Sequence, residues 1–399
     1  MRTLPRRPIR CALAAVLFLT SAKAQAEDTL RIPVLVPITG FLSLEGTSQR
    51  NGAQLALTGS KVAFSVEDTA TSPEIAVNAF ERTAGTDGVV AIVAPMLGTQ
   101  MLALVPLADE FAIPMATVSG TAKITEMGSP NVFRFFPGDV VVKAAQARYV
   151  VEELGAKKPA IIYQTTAYGQ SGRAELALDL TKLGSPPIFE EGLDVSVKDM
   201  LPVLTKVRDS GADVLLLHLH SGPTALAVRH ARALGLDVPI VAGSAMHQPE
   251  TAALLEPGEL DGVCAESGSS PVSETSESVR NFVDAYRRSF DREPDAFALG
   301  QYDGVKMILA AIAAGARSSD DIRTHLQTAR HEGLAMTYRS DGKGNMAHSA
   351  VILCYDGADR VPDIVKRYDN LSGVLYARHP PRQSPLSHWE RGLGCGVKL

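Results

Sequence analysis

The feature that most constrains this chain is an alternation. From residue 29 onward, short β-branched apolar runs take turns with stretches whose apolar residues recur at three and four spacing. The runs are "LRIPVLVPIT" (30–39), "KVAFSVED" (61–68), "GVVAIVA" (88–94), "IPMATVS" (113–119), "PAIIYQT" (159–165), "DVLLLHLH" (213–220) and "VPIVAGS" (238–244). Between them stand helical patterns such as "PEIAVNAFERTAG", "TQMLALVPLADEF", "VVVKAAQARYVVEELG" and "TALAVRHARALG", with Gly near their ends. Strand and helix in strict alternation build βαβ units and a parallel sheet. The near-continuous apolar strands imply a sheet covered by helices on both faces.

The alternation falls into two blocks, 29–136 and 139–265, joined by "PNVFRFFPGD". Three helical patterns follow, then a strand pair, "AMTYRSDGKGN" and "HSAVILCYDGADRVPDIVKRY", with Asp-Gly and Gly-Asn turn signals. A chain of 399 residues exceeds what one core usually holds, roughly 250–300 residues. The reading is an α/β protein with two doubly wound parallel-sheet lobes, the late segments returning to them. Its parts are 27–138 and 139–266, the first passes through each lobe; 267–340, returning to the first; and 341–370, completing the second. After Asn370 periodicity is lost, and 371–399 is expected to be a disordered tail.

The N-terminus reads as a signal for export from the cytoplasm. "MRTLPRRPIR" is a basic segment, "CALAAVLFLTSA" is apolar but too short to span a bilayer, and "AQA" ends in a small-x-small cleavage site. Residues 1–26 therefore read as a secretory signal peptide cleaved after Ala26. No later run approaches the ~20 apolar residues of a membrane span. A net charge of −5 gives no reason to expect nucleic acid as a partner. An oxidising compartment permits a Cys264–Cys354 bridge; two buried free thiols are the alternative.

In an open parallel sheet ligands bind beyond the carboxyl ends of the strands. Two such ends here are made of little but Gly, Ser and Thr. "APMLGT" leads into a helix whose first amides, at Gly98 and Thr99, suit a carboxylate or amide carbonyl. "VSGT" sets Ser119, Gly120 and Thr121 at the neighbouring end. N-capping and turn chemistry explain either site singly, but two side by side describe a cleft. In the second block, "LLLHLHSG" puts His218, His220 and Ser221 at a strand end; with His247 they raise the question of a three-histidine metal site against plain ligand contacts. No GxSxG, HExxH, P-loop or strand-following GxGxxG is found. A secreted hydrolase would have to use Ser119 or Ser244 with a cleft histidine. No enzyme, cofactor or metal site is expected.

The segments "VLVPITGFLSLEGTSQRNGAQLAL", "FSVEDTATSPEIAVNAFERTAGTDGVVAIVAPMLGTQ", "NVFRFFPGD", "VVEELGAKKPAIIYQTTAYGQSG", "ALAVRHARALGLDVPIVAG" and "SVRNFVDAYRRSFDREPDAFALGQYDGVKMI" together resemble, in order, the landmarks of periplasmic substrate-binding proteins of ABC transporters. The resemblance is to the leucine/isoleucine/valine-binding, type I family, and covers about residues 30–355. It implies a type I fold of two lobes joined by crossover hinge strands, a monomer that closes on a small molecule (an amino acid, an amide or a related acid) and delivers it to an inner-membrane permease; a sensor of the same fold is the alternative. It also implies that Thr121 and the Gly98–Thr99 end meet a ligand carboxylate and that Tyr168 packs on the ligand. Ser244 stands where amino-acid binders carry the acid that pairs with the ligand ammonium. Glu45 stands where an aromatic residue is common, and could supply that charge from the opposite lobe. Tyr302 and Asp303 are expected to be structural.

Overall fold

A computed structural model describes residues 29–372. The expected signal peptide (1–26) and nearly all of the expected tail (371–399) lie outside the described residues. Fourteen strands occur among the described residues. They are β1 (Val34–Val36), β2 (Val66–Asp68), β3 (Ile92–Val93), β4 (Met115–Thr117), β5 (Val132–Arg134), β6 (Pro159–Gln164), β7 (Phe189–Leu193), β8 (Val214–His218), β9 (Ile240–Ala242), β10 (Val263–Ser267), β11 (Arg330–Glu332), β12 (Thr337–Arg339), β13 (Ala350–Cys354) and β14 (Asp363–Tyr368).

The first five form one sheet in the order β2-β1-β3-β4-β5, parallel throughout. A second sheet has the order β14-β13-β10-β9-β8-β6-β7, parallel from β10 to β7, with β13 and β14 added antiparallel. The central strands β1, β3, β4, β8, β9 and β10 are wholly buried, as a sheet sandwiched between helices requires. Half-exposed β2 and β7 are edges, which is why the "FEEGL" of β7 carries no apolar signature. On the first sheet, Phe80, Met101 and Leu104 fill one face, and Ala53, Val305 and Ile308 fill the other. The helices that supply the second set, Ser43–Leu57 and Ala296–Ala313, touch so closely that a Cβ at Gly52 would lie 2.1 Å from the Ala298 carbonyl oxygen.

The chain passes between the sheets at 135–138, before helix Ala296–Ala313, and again at 340–349. Two details differ from the expectation. "PNVFRFFPGD" is not only a connector, since Val132–Arg134 is the edge strand β5 beside β4. The late strand pair is also divided differently: β12 pairs with β11, while β13 pairs with β10 and β14. The turn at Asp341–Asn345 does reverse the chain, with Arg339 N–H bonded to Met346 O, but Met346 N–H then bonds Arg134 O and the chain crosses to the other sheet before the next strand. The cysteines are joined: Cys264 and Cys354 face each other across β10 and β13 and form a disulfide.

A candidate ligand cleft

The carboxyl ends of both sheets face one another, and a pocket lies between them. Beyond β3 the helix Gly98–Glu110 begins with no side-chain cap, so its first amides are offered to whatever occupies the pocket. Thr121 sits against this helix start; a Cβ at Gly98 would lie 2.0 Å from Thr121 Oγ1, so only glycine admits the hydroxyl there. Thr117 ties the two strand ends together by donating its hydroxyl to Pro95 O at 2.9 Å. Ser119 and Thr121 are each 1% exposed, and neither hydroxyl has a hydrogen-bond partner. Buried polar groups in native folds are nearly always paired, so these two stand out.

Their loop is held from behind by Arg134, whose guanidinium is buried. Its Nη1 donates to the carbonyls of Ser119, Gly120 and Thr121 (3.3, 3.0 and 2.8 Å), its Nη2 to Thr125 Oγ1 (2.9 Å), and its Nε to Asn345 Oδ1 (3.0 Å). Burial pulls this group down to about 10, which leaves it charged at neutral pH. Asp139, in the first turn of helix Asp139–Arg148, donates its N–H to Gly120 O at 2.8 Å. Its carboxylate is enclosed; burial raises it to about 7 against the opposing pull of the Lys143 ammonium and the Ser171 hydroxyl.

Glu45, in the first turn of helix Ser43–Leu57, is 2% exposed. Its Oε1 accepts from Ser221 N (3.2 Å) and Ser221 Oγ (2.5 Å), reaching across to the start of helix Ser221–Ala233; its Oε2 is buried without a partner. Burial raises this carboxyl above the ordinary range, opposed by the bonds from Ser221. From the second sheet come Tyr168, His220 and Ser244. The Tyr168 ring packs on His218 (3.9 Å between centroids) and His220 (5.3 Å), and its enclosed hydroxyl has no partner. Ser244 donates to Glu266 on β10, its N–H and Oγ both lying 2.9 Å from Oε1. Glu266 is in turn paired with Lys143 at 2.6 Å, both side chains being fully buried.

The pocket brings together Glu45, Gly120, Tyr168, His220 and Ser244 of the expected residues, with Leu42, Met96, Leu97, Val118, Phe136 and Phe297 as an apolar wall. Gly98, Thr99, Ser119 and Thr121 do not line it; they adjoin the lining residues Leu97, Val118 and Gly120 in the chain, and Ser221 is bonded to Glu45. The acid missing at Ser244 is found one strand over, at Glu266, but Lys143 has already neutralised it. The three histidines do not converge on one point. His218 Nε2 faces Tyr168 O (3.1 Å), His220 Nε2 faces Thr166 Oγ1 (3.2 Å), and His247 Nε2 accepts from Ala296 N (3.2 Å). Burial lowers all three, so they are neutral at pH 7, and no cluster of metal-binding side chains occurs among the described residues. Asp303 accepts from the N–H groups of Leu334 and Ala335, a role in holding that loop.

Sequence reasoning missed Arg134, Phe136, Asp139, Glu266 and Phe297. Three of these fall in or beside "NVFRFFPGD", where a buried arginine between aromatics was the available signal.

Comparison with known proteins agrees with this geometry. Residues 29–358 match the family described as "Periplasmic binding protein". The "Leu/Ile/Val-binding protein homolog 1" of Brucella suis is 26% identical over 328 residues, spanning 78% of this chain and 85% of its own. An "Amino acid binding protein" of Pseudomonas aeruginosa is 28% identical over 302 residues, 71% of this chain and 79% of its own. Among solved structures, the branched-chain amino acid transporter substrate-binding protein LivJ of Streptococcus pneumoniae, in complex with isoleucine, superposes with a TM-score of 0.76 at 24% identity, covering 85% of this chain and 100% of that one. A Rhodopseudomonas palustris ABC transporter solute-binding protein in complex with 3,4-dihydroxybenzoic acid gives 0.78 at 21% identity, over 86% and 98%. With a family match across nearly all the described residues, and two α/β lobes opposed across a pocket, this chain belongs to the periplasmic binding protein family.

Proposed function

We propose that the protein captures a small carboxylate-bearing solute between its lobes outside the cytoplasm and hands it to an ABC transporter permease. The observation that carries this reading is a deficit of partners. An uncapped helix start follows the pocket residue Leu97, and two buried, unpartnered hydroxyls, Ser119 and Thr121, flank the pocket residue Gly120. A carboxylate would accept from the Gly98 and Thr99 amides and from Ser119 and Thr121, while Leu42, Met96, Val118, Phe136 and Phe297 enclose an aliphatic or aromatic body. The named ligands of similar proteins, isoleucine and 3,4-dihydroxybenzoic acid, share that description. The protein acts as a monomer, with residues 1–26 as a secretion signal removed after Ala26. The pocket's Ser244 hydroxyl lies on Glu266, and its histidine, His220, lies on Thr166.

A thermal-shift screen of residues 27–372, unfolded and refolded to remove any carried ligand, tests the reading. A solute at a thousand times its Kd adds about 4 kcal/mol of stability. Amino acids and small aromatic or aliphatic acids should supply the hits. A screen in which only compounds without a carboxylate shift the transition contradicts the assignment of the helix mouth.

A further inference from the structure

We propose that Glu45 is a proton-carrying latch: when the lobes close it holds a proton and donates it to Ser221 across the cleft. The inference rests on the solute-binding reading above only in requiring lobes that open and close; it concerns what holds them shut, not what they hold.

Helix Ser43–Leu57 of the first lobe carries Glu45 and, one turn on, Ser48. A chain of contacts runs from one to the other by way of the second lobe. Ser221 Oγ lies 2.5 Å from Glu45 Oε1 and 2.9 Å from Gln248 Oε1. Gln248 Nε2 donates to Asp295 Oδ2 at 2.6 Å, and Ser48 Oγ donates to Asp295 Oδ1 at 2.5 Å. Every member is buried, the most exposed being Ser48 at 5%. Glu45 to Ser221 and Gln248 to Asp295 are the links that cross between the lobes.

This chain is one hydrogen short. A serine hydroxyl has a single hydrogen to give, and a carboxylate or amide oxygen has none. If Ser221 donates to Glu45, it meets Gln248 Oε1 oxygen to oxygen; if it donates to Gln248, it meets an ionised Glu45 in the same way. Turning the Gln248 amide over only moves the conflict, since Oε1 then faces the Asp295 carboxylate. Every contact is satisfied when one of the two carboxyl groups carries a proton. Asp295 is the better anion: it accepts from Ser48, Gln248 and the Ala298 N–H, and it caps the positive end of an eighteen-residue helix. Glu45 is the better acid. Its Oε2 is buried without a partner, which costs a neutral carbonyl oxygen far less than it costs half of a carboxylate. With the proton on Glu45 Oε1, Glu45 donates to Ser221, Ser221 to Gln248, and Gln248 to Asp295.

The surroundings favour the same assignment. The titratable groups around Glu45 are Asp295, at the N-cap of helix Ala296–Ala313, and Tyr168 and His220, which line the pocket with it. His220 is lowered to about 4 by burial and is neutral, and Lys143 is committed to Glu266, so no cation balances Glu45. Burial raises its carboxyl, the Asp295 charge adds to this, and the bonds from Ser221 oppose it. When the lobes part, Glu45 returns to water and to its ordinary value. Closure therefore takes up a proton, and its contribution is complete at low pH and lost as the pH rises through the closed-state value.

Titration calorimetry of the mature chain with isoleucine and with 3,4-dihydroxybenzoate from pH 5 to pH 8 tests the latch. Small-angle scattering of the unliganded protein over the same range measures closure without a solute. In Glu45→Gln an amide N–H stands in for the proton at every pH. Asp139 and Glu250, both raised to about 7, are present in wild type and variant alike and cancel from the comparison. For whichever probe binds, the ratio of wild-type to variant affinity should fall by at least about tenfold between pH 5 and pH 8. At pH 6 the wild type should take up protons on binding, seen as a heat that varies with the ionisation enthalpy of the buffer. If neither probe binds, scattering decides: the wild type should be more compact at pH 5 than at pH 8, and the variant should show no such difference. A ratio that stays constant with pH, or binding at pH 6 without proton uptake, overturns the inference and leaves the solute-binding reading standing. Without a binding probe, scattering of the wild type that is flat with pH, or that the variant reproduces, does the same.

Discussion

Gly98 and Thr121 illustrate how narrow the tolerances of the site are. With 2.0 Å between a Cβ at position 98 and Thr121 Oγ1, Gly98→Ala must displace the hydroxyl. It should weaken a carboxylate ligand by more than about tenfold, since one charged hydrogen bond is worth roughly 1.5–3 kcal/mol, while changing stability less; calorimetry and denaturant unfolding separate the two. Arg134 acts through the loop it braces. Arg134→Leu strips three carbonyls, Thr125 and Asn345 of their buried donor, so unfolding should become easier by about 3–5 kcal/mol, as when one side of a buried charged network is removed. Asp139 gives a pH signature. Its carboxyl is raised to about 7, so between its unfolded value and 7 the fold keeps a proton that the unfolded chain has lost. That contribution to stability is complete at low pH and disappears as the pH rises through 7. Asp139→Asn, which cannot ionise, should therefore gain on the wild type between pH 5 and pH 8 by on the order of 1–3 kcal/mol, measured by urea unfolding at both values. At this scale the sequence was legible where a small residue follows an apolar strand run: Gly120 beyond β4 and Ser244 beyond β9 line the pocket, and Tyr168 does so from the first turn of helix Ala167–Lys182. Arg134 and Asp139 were not, because their roles come from a fold-back of the hinge that no local pattern announces.

The elements follow the apolar runs closely. Seven of the fourteen strands lie inside runs that the β-branched pattern marks in advance, and each of those seven is buried except at edge strand β2 and at Tyr163 in β6. Short or half-polar strands escaped: β5 is three residues in a Pro- and Gly-flanked stretch, and β7 is a half-exposed edge. The pairing of β12 with β11 was hidden for a different reason. Turn signals report where a chain reverses but not whether the strand that follows stays in the same sheet. The disulfide joins β10 to β13, which are adjacent in the second sheet but 90 residues apart in sequence. Replacing both cysteines by alanine should lower stability by about 2–4 kcal/mol, the usual contribution of a long closed loop, and leave ligand affinity unchanged, because Cys264 and Cys354 do not line the pocket. A matching loss of affinity would mean that the disulfide also sets the position of Glu266, two residues along β10.

For the molecule as a whole, the lobes meet through polar contacts as well as through an apolar cluster in which Leu42, Met96, Val118 and Phe297 pack with Phe136 and the second sheet. Glu45 with Ser221, Gln248 with Asp295, and His247 with the Ala296 amide span the cleft, and Ala122 N–H reaches Ser171 Oγ at 2.9 Å. Such contacts exchange readily for water, which suits lobes that open to admit a solute and close over it. Sequence alternation is enough to give two doubly wound lobes with a site at the strand ends, because that rule depends on topology alone. It does not give the charge balance inside the closed cleft, where Lys143 cancels Glu266 and leaves Glu45 unmatched. The measurement that bears most directly on the account is titration calorimetry of refolded residues 27–372 with amino acids and small organic acids at several temperatures. The account predicts saturable binding of a small carboxylate, one solute per chain, with a negative heat-capacity change from the apolar surface enclosed. Absence of saturable binding by any carboxylate, or binding of several solutes per chain without a heat-capacity change, would contradict it.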